Sequence, residues 1–147
     1  MQLTMFSDYA LRVIMRLSEA GANRRWTAGD MADDLGASRA HIAKVVTRLV
    51  DMGLLESTRG RGGGISMADG AEKESVGAIL RQLETGEVVD CVGTNCPLLP
   101  GCGLRPALAQ AQEAFFATLD PLTIEDVARP RLDQDLTVSR ALPLAPL

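Results

Sequence analysis

Two amphipathic segments, residues 27–35 and 38–52, are joined by only Gly36 and Ala37. So short a joint forces the second segment to cross the first steeply, which is the helix-turn-helix arrangement. Thr27 is placed to cap the first segment, with Asp30 three positions on, close to the capping-box pattern. Met31, Ala32 and Leu35 form its apolar face. Ser38 is placed to cap the second, where Ile42, Val45, Val46, Leu49 and Val50 recur at helical spacing. Gly53 ends it.

The flanking segments extend this unit. Residues 6–20 read as a helix capped by Ser7 and stopped by Gly21, with Tyr9, Val13 and Leu17 four apart. Residues 54–56 and 65–67 read as two short strands, and the run Ser57-Thr58-Arg59-Gly60-Arg61-Gly62-Gly63-Gly64 between them reads as a hairpin tip. A hairpin directly after a helix-turn-helix is a wing. Residues 73–83 form a further helix with Val76, Ile79, Leu80 and Leu83 on one face, and residues 104–119 a long one. Residues 123–128 add a last turn, and the proline-containing end after Pro130 is expected to be disordered. The predicted fold is mainly α with a small β wing. A winged helix-turn-helix domain spans 1–85, a cysteine loop 86–103, a dimerisation helix and turn 104–130, and a flexible tail 131–147.

Composition agrees with a folded domain: 46% of the 147 residues are hydrophobic and 23% charged. Aromatic residues are only 3%, so aliphatic side chains must fill the core, which suits packed helices. No apolar run approaches ~18 residues, and the N-terminal residues lack a secretory signal pattern, so a cytoplasmic protein is expected. The net charge of −4 argues mildly against nucleic acid, but its distribution reverses the argument. Residues 36–64 carry Arg39, Lys44, Arg48, Arg59 and Arg61 against only Asp51 and Glu56.

This concentration predicts a DNA-binding surface. Ser38, Arg39, His41, Lys44 and Arg48 avoid the apolar stripe of the second helix and are expected to meet base edges or phosphates in the major groove. Arg59 and Arg61 on the wing are expected to reach the adjacent minor groove, where arginine suits the negative potential.

All three cysteines, Cys91, Cys96 and Cys102, lie in one loop containing glycine and proline. An odd count in a reducing compartment points away from disulfides and towards metal. Spacers of four and five residues are longer than zinc knuckles use and suit a larger inorganic core, and Cys-Pro recurs at iron–sulfur sites. Three thiolates leave one position open. Asp90 and Asn95 lie nearby, Asp8 is distant in sequence, and the single histidine, His41, belongs to the helix-turn-helix.

The layout resembles the winged-helix iron–sulfur regulators that include IscR, NsrR and RirA. The residues that carry this are Leu3-Thr4-Met5-Phe6-Ser7-Asp8-Tyr9-Ala10-Leu11-Arg12, the wing Arg59 to Gly64, the loop containing Cys96-Pro97-Leu98, and Ala109-Gln110-Ala111-Gln112-Glu113-Ala114-Phe115-Phe116. The resemblance runs from Met1 to about Ala128. IscR-type members have a histidine three residues after the last cysteine, where this chain has Arg105. NsrR-type nitric-oxide sensors use three cysteines and an early aspartate, which matches Cys91, Cys96, Cys102 and Asp8. The first spacer, four residues, is one shorter than the group usually has. The resemblance implies a 4Fe–4S cluster (2Fe–2S being the variant form) held by these thiolates and by Asp8 of the partner subunit. It implies a homodimer on double-stranded operator DNA, with nitric oxide as the signal that releases it. Leu104, Leu108, Ala111, Phe115 and Leu119 would then be the dimer stripe, and half-sites would lie about one DNA turn, or a multiple, apart.

Other classes fare worse. An enzyme lacks support: there is one histidine, no Ser-His-Asp set, and no phosphate loop followed by Lys-Ser or Lys-Thr. An electron carrier would not need a basic helix-turn-helix. An iron- or redox-responsive regulator of IscR or RirA type and a zinc-stabilised winged-helix regulator are the rival readings.

Overall fold

Helix α1, Met5–Ala20, is the central support, with Ala10, Val13, Ile14 and Leu17 buried along one face. A computed structural model of the chain describes residues 2–21, 25–60 and 62–128. The cap of α1 is Thr4, not Ser7: Thr4 is extended and its Oγ1 accepts the Ser7 amide proton at 3.2 Å. Ser7 lies inside the first turn and is fully buried.

Helices α2, Ala28–Leu35, and α3, Arg39–Asp51, form the helix-turn-helix. Thr27 and Asp30 make a complete capping box, which satisfies two orphan amides at once. Gly36 ends α2 in the left-handed region, φ 63°, where a side chain would be strained. Ser38 caps α3, and Ile42, Val45, Val46 and Leu49 are buried between α1 and α2, with Val50 half-buried.

Strands β1, Leu55–Thr58, and β2, Gly64–Met67, pair antiparallel, Leu55 opposite Met67 and Thr58 opposite Gly64. The pairing reaches two residues further into the hairpin on β1, and one on β2, than the apolar pattern marks. Trp26 adds a bridge on the other edge of β2, its amide and carbonyl both bonded to Ile65. That bridge ties the entry of α2 to the wing.

The next helix also begins later than its pattern suggests. A 3₁₀ turn, Ala71–Lys73, comes first, and Ser75 then caps α4, Val76–Leu83, by accepting from the Ala78 amide at 3.2 Å. A second 3₁₀ turn, Leu99–Gly101, lies in the cysteine loop. Helix α5, Leu104–Leu119, packs on α4 around Val76, Leu80 and Phe116, and α6, Ile124–Ala128, returns to α1. The tail after Pro130 lies outside the described residues. Among the described residues no helix is long and apolar enough to cross a membrane.

Candidate nucleic-acid interface and cysteine loop

Helix α3 is presented by the buried face that seats it. Lys44 is exposed and makes no ion pair among the described residues, so its charge is free for a phosphate. Arg39 is exposed and bonded to Asp33 across the turn at 3.0 Å. Arg48 donates to the Gln82 carbonyl at 3.0 Å, a group in the last turn of α4 that favours a cation. Ser38 spends its hydroxyl oxygen on the His41 amide.

His41 departs from expectation. Its ring is half-buried against α1, 6.1 Å from the Phe6 ring and 5.2 Å from the Tyr9 ring between centroids. Its Nε2 is shut off from solvent and has no hydrogen-bond partner among the described residues. In this geometry the side chain faces the neighbouring helix, not a groove. The apolar spacing of α3 could not reveal this, because the partners lie over thirty residues away.

On the wing, Arg59 is exposed, while Arg61 lies outside the described residues. The hairpin closes through the Gly63 amide onto the Gly60 carbonyl at 2.9 Å. A Cβ on Gly63 would collide with the Thr58 carbonyl oxygen, so a side chain there would open the tip.

The cysteine loop is slung between the end of α4 and the start of α5. All three thiols are unbridged; Cys91 is buried and Cys96 and Cys102 are half-buried. The Cys96 amide donates to the Cys91 carbonyl at 3.0 Å and the Leu99 amide to the Cys96 carbonyl at 3.1 Å, so turns hold the first two cysteines together. Asp90 is occupied as a turn cap, accepting from the Gly93 amide at 2.6 Å. Asn95 sits at φ 50°, in the left-handed region that asparagine tolerates. Burial pushes the Cys91 thiol up, the charges of Cys96 and Cys102 push the same way, and Arg105 opposes them. Arg105 forms a two-pronged ion pair with Glu87, closing the base of the loop. Among the described residues no three histidine, cysteine, aspartate or glutamate side chains are gathered closely enough to hold a single metal ion.

Two long-range clamps, neither visible in the sequence pattern, fix the banks of this loop. The Thr4 amide and hydroxyl both donate to Glu84 Oε1, at 2.7 and 2.8 Å, tying the start of α1 to the end of α4. Burial raises the Glu84 carboxyl, but the hydrogen bonds from Ser7 and Thr4 outweigh it and leave the group below its ordinary range. Arg81 of α4 reaches Glu113 of α5 at 2.6 Å and Asp120, just past the end of α5, at 2.5 Å, with its guanidinium 5.6 Å from the Phe116 ring.

Asp8 is half-buried on the first turn of α1 and accepts from Arg12 at 2.9 Å. The stripe on α5 is largely uncovered: Leu104 is 61% exposed, Ala111 is exposed, and Leu108, Phe115 and Leu119 are half-buried. The buried aromatic is Phe116, one position on from the stripe. Met5, Val88, Val92 and Leu98 add exposed apolar side chains near the loop and the start of α1.

Helix-turn-helix, basic wing and projecting helix define a winged-helix DNA-binding regulator. The chain belongs to the Rrf2 family, described as iron-dependent transcriptional regulators, which it matches over residues 3–130. It is 48% identical over 130 residues to the HTH-type transcriptional repressor NsrR of Streptomyces coelicolor, spanning 86% of this chain and 88% of that protein. The fold is also that of the oxidized form of CymR from Staphylococcus aureus, with a TM-score of 0.66, 22% identity, and coverage of 88% of this chain and 97% of that one. IscR of T. potens gives a TM-score of 0.64 at 21% identity, covering 86% and 85%.

Proposed function

We propose that this protein is a cytoplasmic, homodimeric transcriptional repressor that senses nitric oxide through a 4Fe–4S cluster. Cys91, Cys96 and Cys102 would hold the cluster with Asp8 of the partner subunit. The observation that carries the reading is the cysteine loop itself: three unbridged thiols, mutually repelling when ionised, slung beside a winged helix-turn-helix. Cationic iron relieves that repulsion, and the thiolate-rich donor set fits an iron–sulfur core. The 48% identity to a repressor named NsrR supports the same conclusion.

A cluster held by Cys91, Cys96, Cys102 and the partner's Asp8 would supply iron able to bind nitric oxide. The rest belongs to the chain. A carboxylate is a hard donor among soft thiolates, so Asp8 is the ligand most readily given up. Asp8 stands on the first turn of α1, and α1 packs directly on α3. Release of Asp8 would free that turn and, with α1 packed on α3, would move Lys44, Arg39 and Ser38 out of register with the major groove; Arg59 and Arg61 of the wing would complete the DNA contact. The α5 stripe, with Leu104 and Ala111 exposed and Leu108, Phe115 and Leu119 half-buried, would pair the two subunits.

The test is to purify the protein without oxygen, measure iron and sulfide, and titrate nitric oxide while recording the absorption spectrum. The expected result is a broad visible band that bleaches with several nitric oxides per cluster. Structured 2Fe–2S bands would favour an IscR-like or RirA-like role, and a colourless zinc protein would remove the iron–sulfur mechanism.

A further inference from the structure

We propose that His41 is the positioning residue that links the first turn of α1 to the DNA-reading turn of α3, through its ring contacts with Phe6 and Tyr9. The inference rests on the reading that Asp8 serves the cluster only for its biological meaning; the contact itself stands on geometry.

The first turn of α1 has two working sides. At 100° per residue, Phe6 and Tyr9 lie three apart on one face, while Asp8 projects away from it. The contacts bear this out: Asp8, half-buried, is paired with Arg12, while Phe6 and Tyr9 pack against the core and touch the His41 ring. A helical turn held by backbone hydrogen bonds moves as a body. A pull on Asp8 therefore carries Phe6 and Tyr9 with it.

His41 receives that motion at a decisive place. It lies in the first turn of α3, and its amide is held by the Ser38 cap at 3.2 Å. Arg39 and Lys44 project from the same end of the helix. A displaced ring thus acts on the turn that carries the candidate DNA contacts.

The contact is also built to give way. His41 Nε2 is enclosed with no hydrogen-bond partner among the described residues, and an enclosed polar atom without a partner disfavours the arrangement that encloses it. Moving Phe6 and Tyr9 away would open Nε2 to water or to a nearby acceptor or donor. Packing holds the ring inward and solvation draws it outward, so a small shift of α1 is enough to change the balance.

The test is a double-mutant cycle read by amide exchange in residues 39–44, first on cluster-free protein. Thr4→Ala removes the side-chain cap and the hydroxyl bond to Glu84, and so loosens the first turn of α1. With the native histidine in place this is expected to speed exchange by about threefold or more. In a His41→Ala background the same change is expected to have no further effect, and His41→Phe, which keeps a ring, is expected to restore the response. An equal acceleration in the native and His41→Ala backgrounds would overturn the coupling. The cycle is repeated with iron and sulfide reconstituted, using cluster removal as the perturbation. If no cluster forms, the sensor reading fails while the cluster-free cycle still decides the role of His41.

Discussion

Gly77 sits inside α4 with the place of its missing side chain aimed at the end of α5. A Cβ there would lie 2.8 Å from the Asp120 amide nitrogen and closer still to the Phe116 carbonyl oxygen and Asp120 Oδ1. Ordinary contact begins at 3.4 Å, so α5 would have to retreat by half an ångström or more. Two of the three atoms are backbone and cannot rotate aside. In an open helix, replacing glycine by alanine gains roughly 1 kcal/mol. Overpacking of this kind costs about 1–3 kcal/mol, towards the upper end where backbone must move. Gly77→Ala should therefore destabilise by about 1–2 kcal/mol. Gly29 supplies the control: in α2 its Cβ would be 3.6 Å from Thr27 Oγ1, an ordinary contact, so Gly29→Ala should stabilise by about 0.5–1 kcal/mol. Urea unfolding at one fixed protein concentration reads both as midpoint shifts at constant slope. Equal upward shifts for the two variants would refute the claim that α4 and α5 meet at Gly77.

Thr27→Ala breaks the capping box and should cost about 1 kcal/mol in the same assay. Lys44→Ala should weaken DNA binding and lower the salt slope of the affinity by about 0.9 for one lost phosphate contact, measured by fluorescence anisotropy across a salt series. The Glu84 carboxyl is held below its ordinary range, so its contribution is present above that range and is lost as pH falls through the lowered folded value. On acidification of the cluster-free protein from about pH 6 to below about pH 4, wild type should lose more stability than Glu84→Gln. Parallel pH profiles would mean that the Thr4–Glu84 clamp contributes nothing.

Local chemistry was the legible part of this fold. The Thr27–Asp30 box, the Gly36 turn and the Ser38 cap are each settled within four residues, and the pattern marks all three. Boundaries set by partners further away were harder to read. Strand β1 runs on to Thr58 because Gly64 pairs with it, and α4 waits for Ser75 because the preceding 3₁₀ turn uses residues that look helical. Thr4 displaces Ser7 as the cap because Ser7 is drawn into the core. Helical spacing marks which face of α3 is apolar, but not that His41 is turned onto two rings of α1. The Arg81 and Glu84 clamps join residues 32 to 80 positions apart and leave no local signature. The three clustered cysteines by themselves suggest metal chemistry, whereas the proposal that Asp8 joins them rests on the family resemblance.

The most direct test of the account compares DNA binding by cluster-loaded protein before and after nitric oxide, on a duplex selected from random sequence by the loaded form. The account predicts tight, salt-dependent binding that falls at least about tenfold once nitric oxide has bleached the visible band. Affinity that stays unchanged while the band disappears would contradict it, because the cysteine loop would then have no hold on the recognition helix.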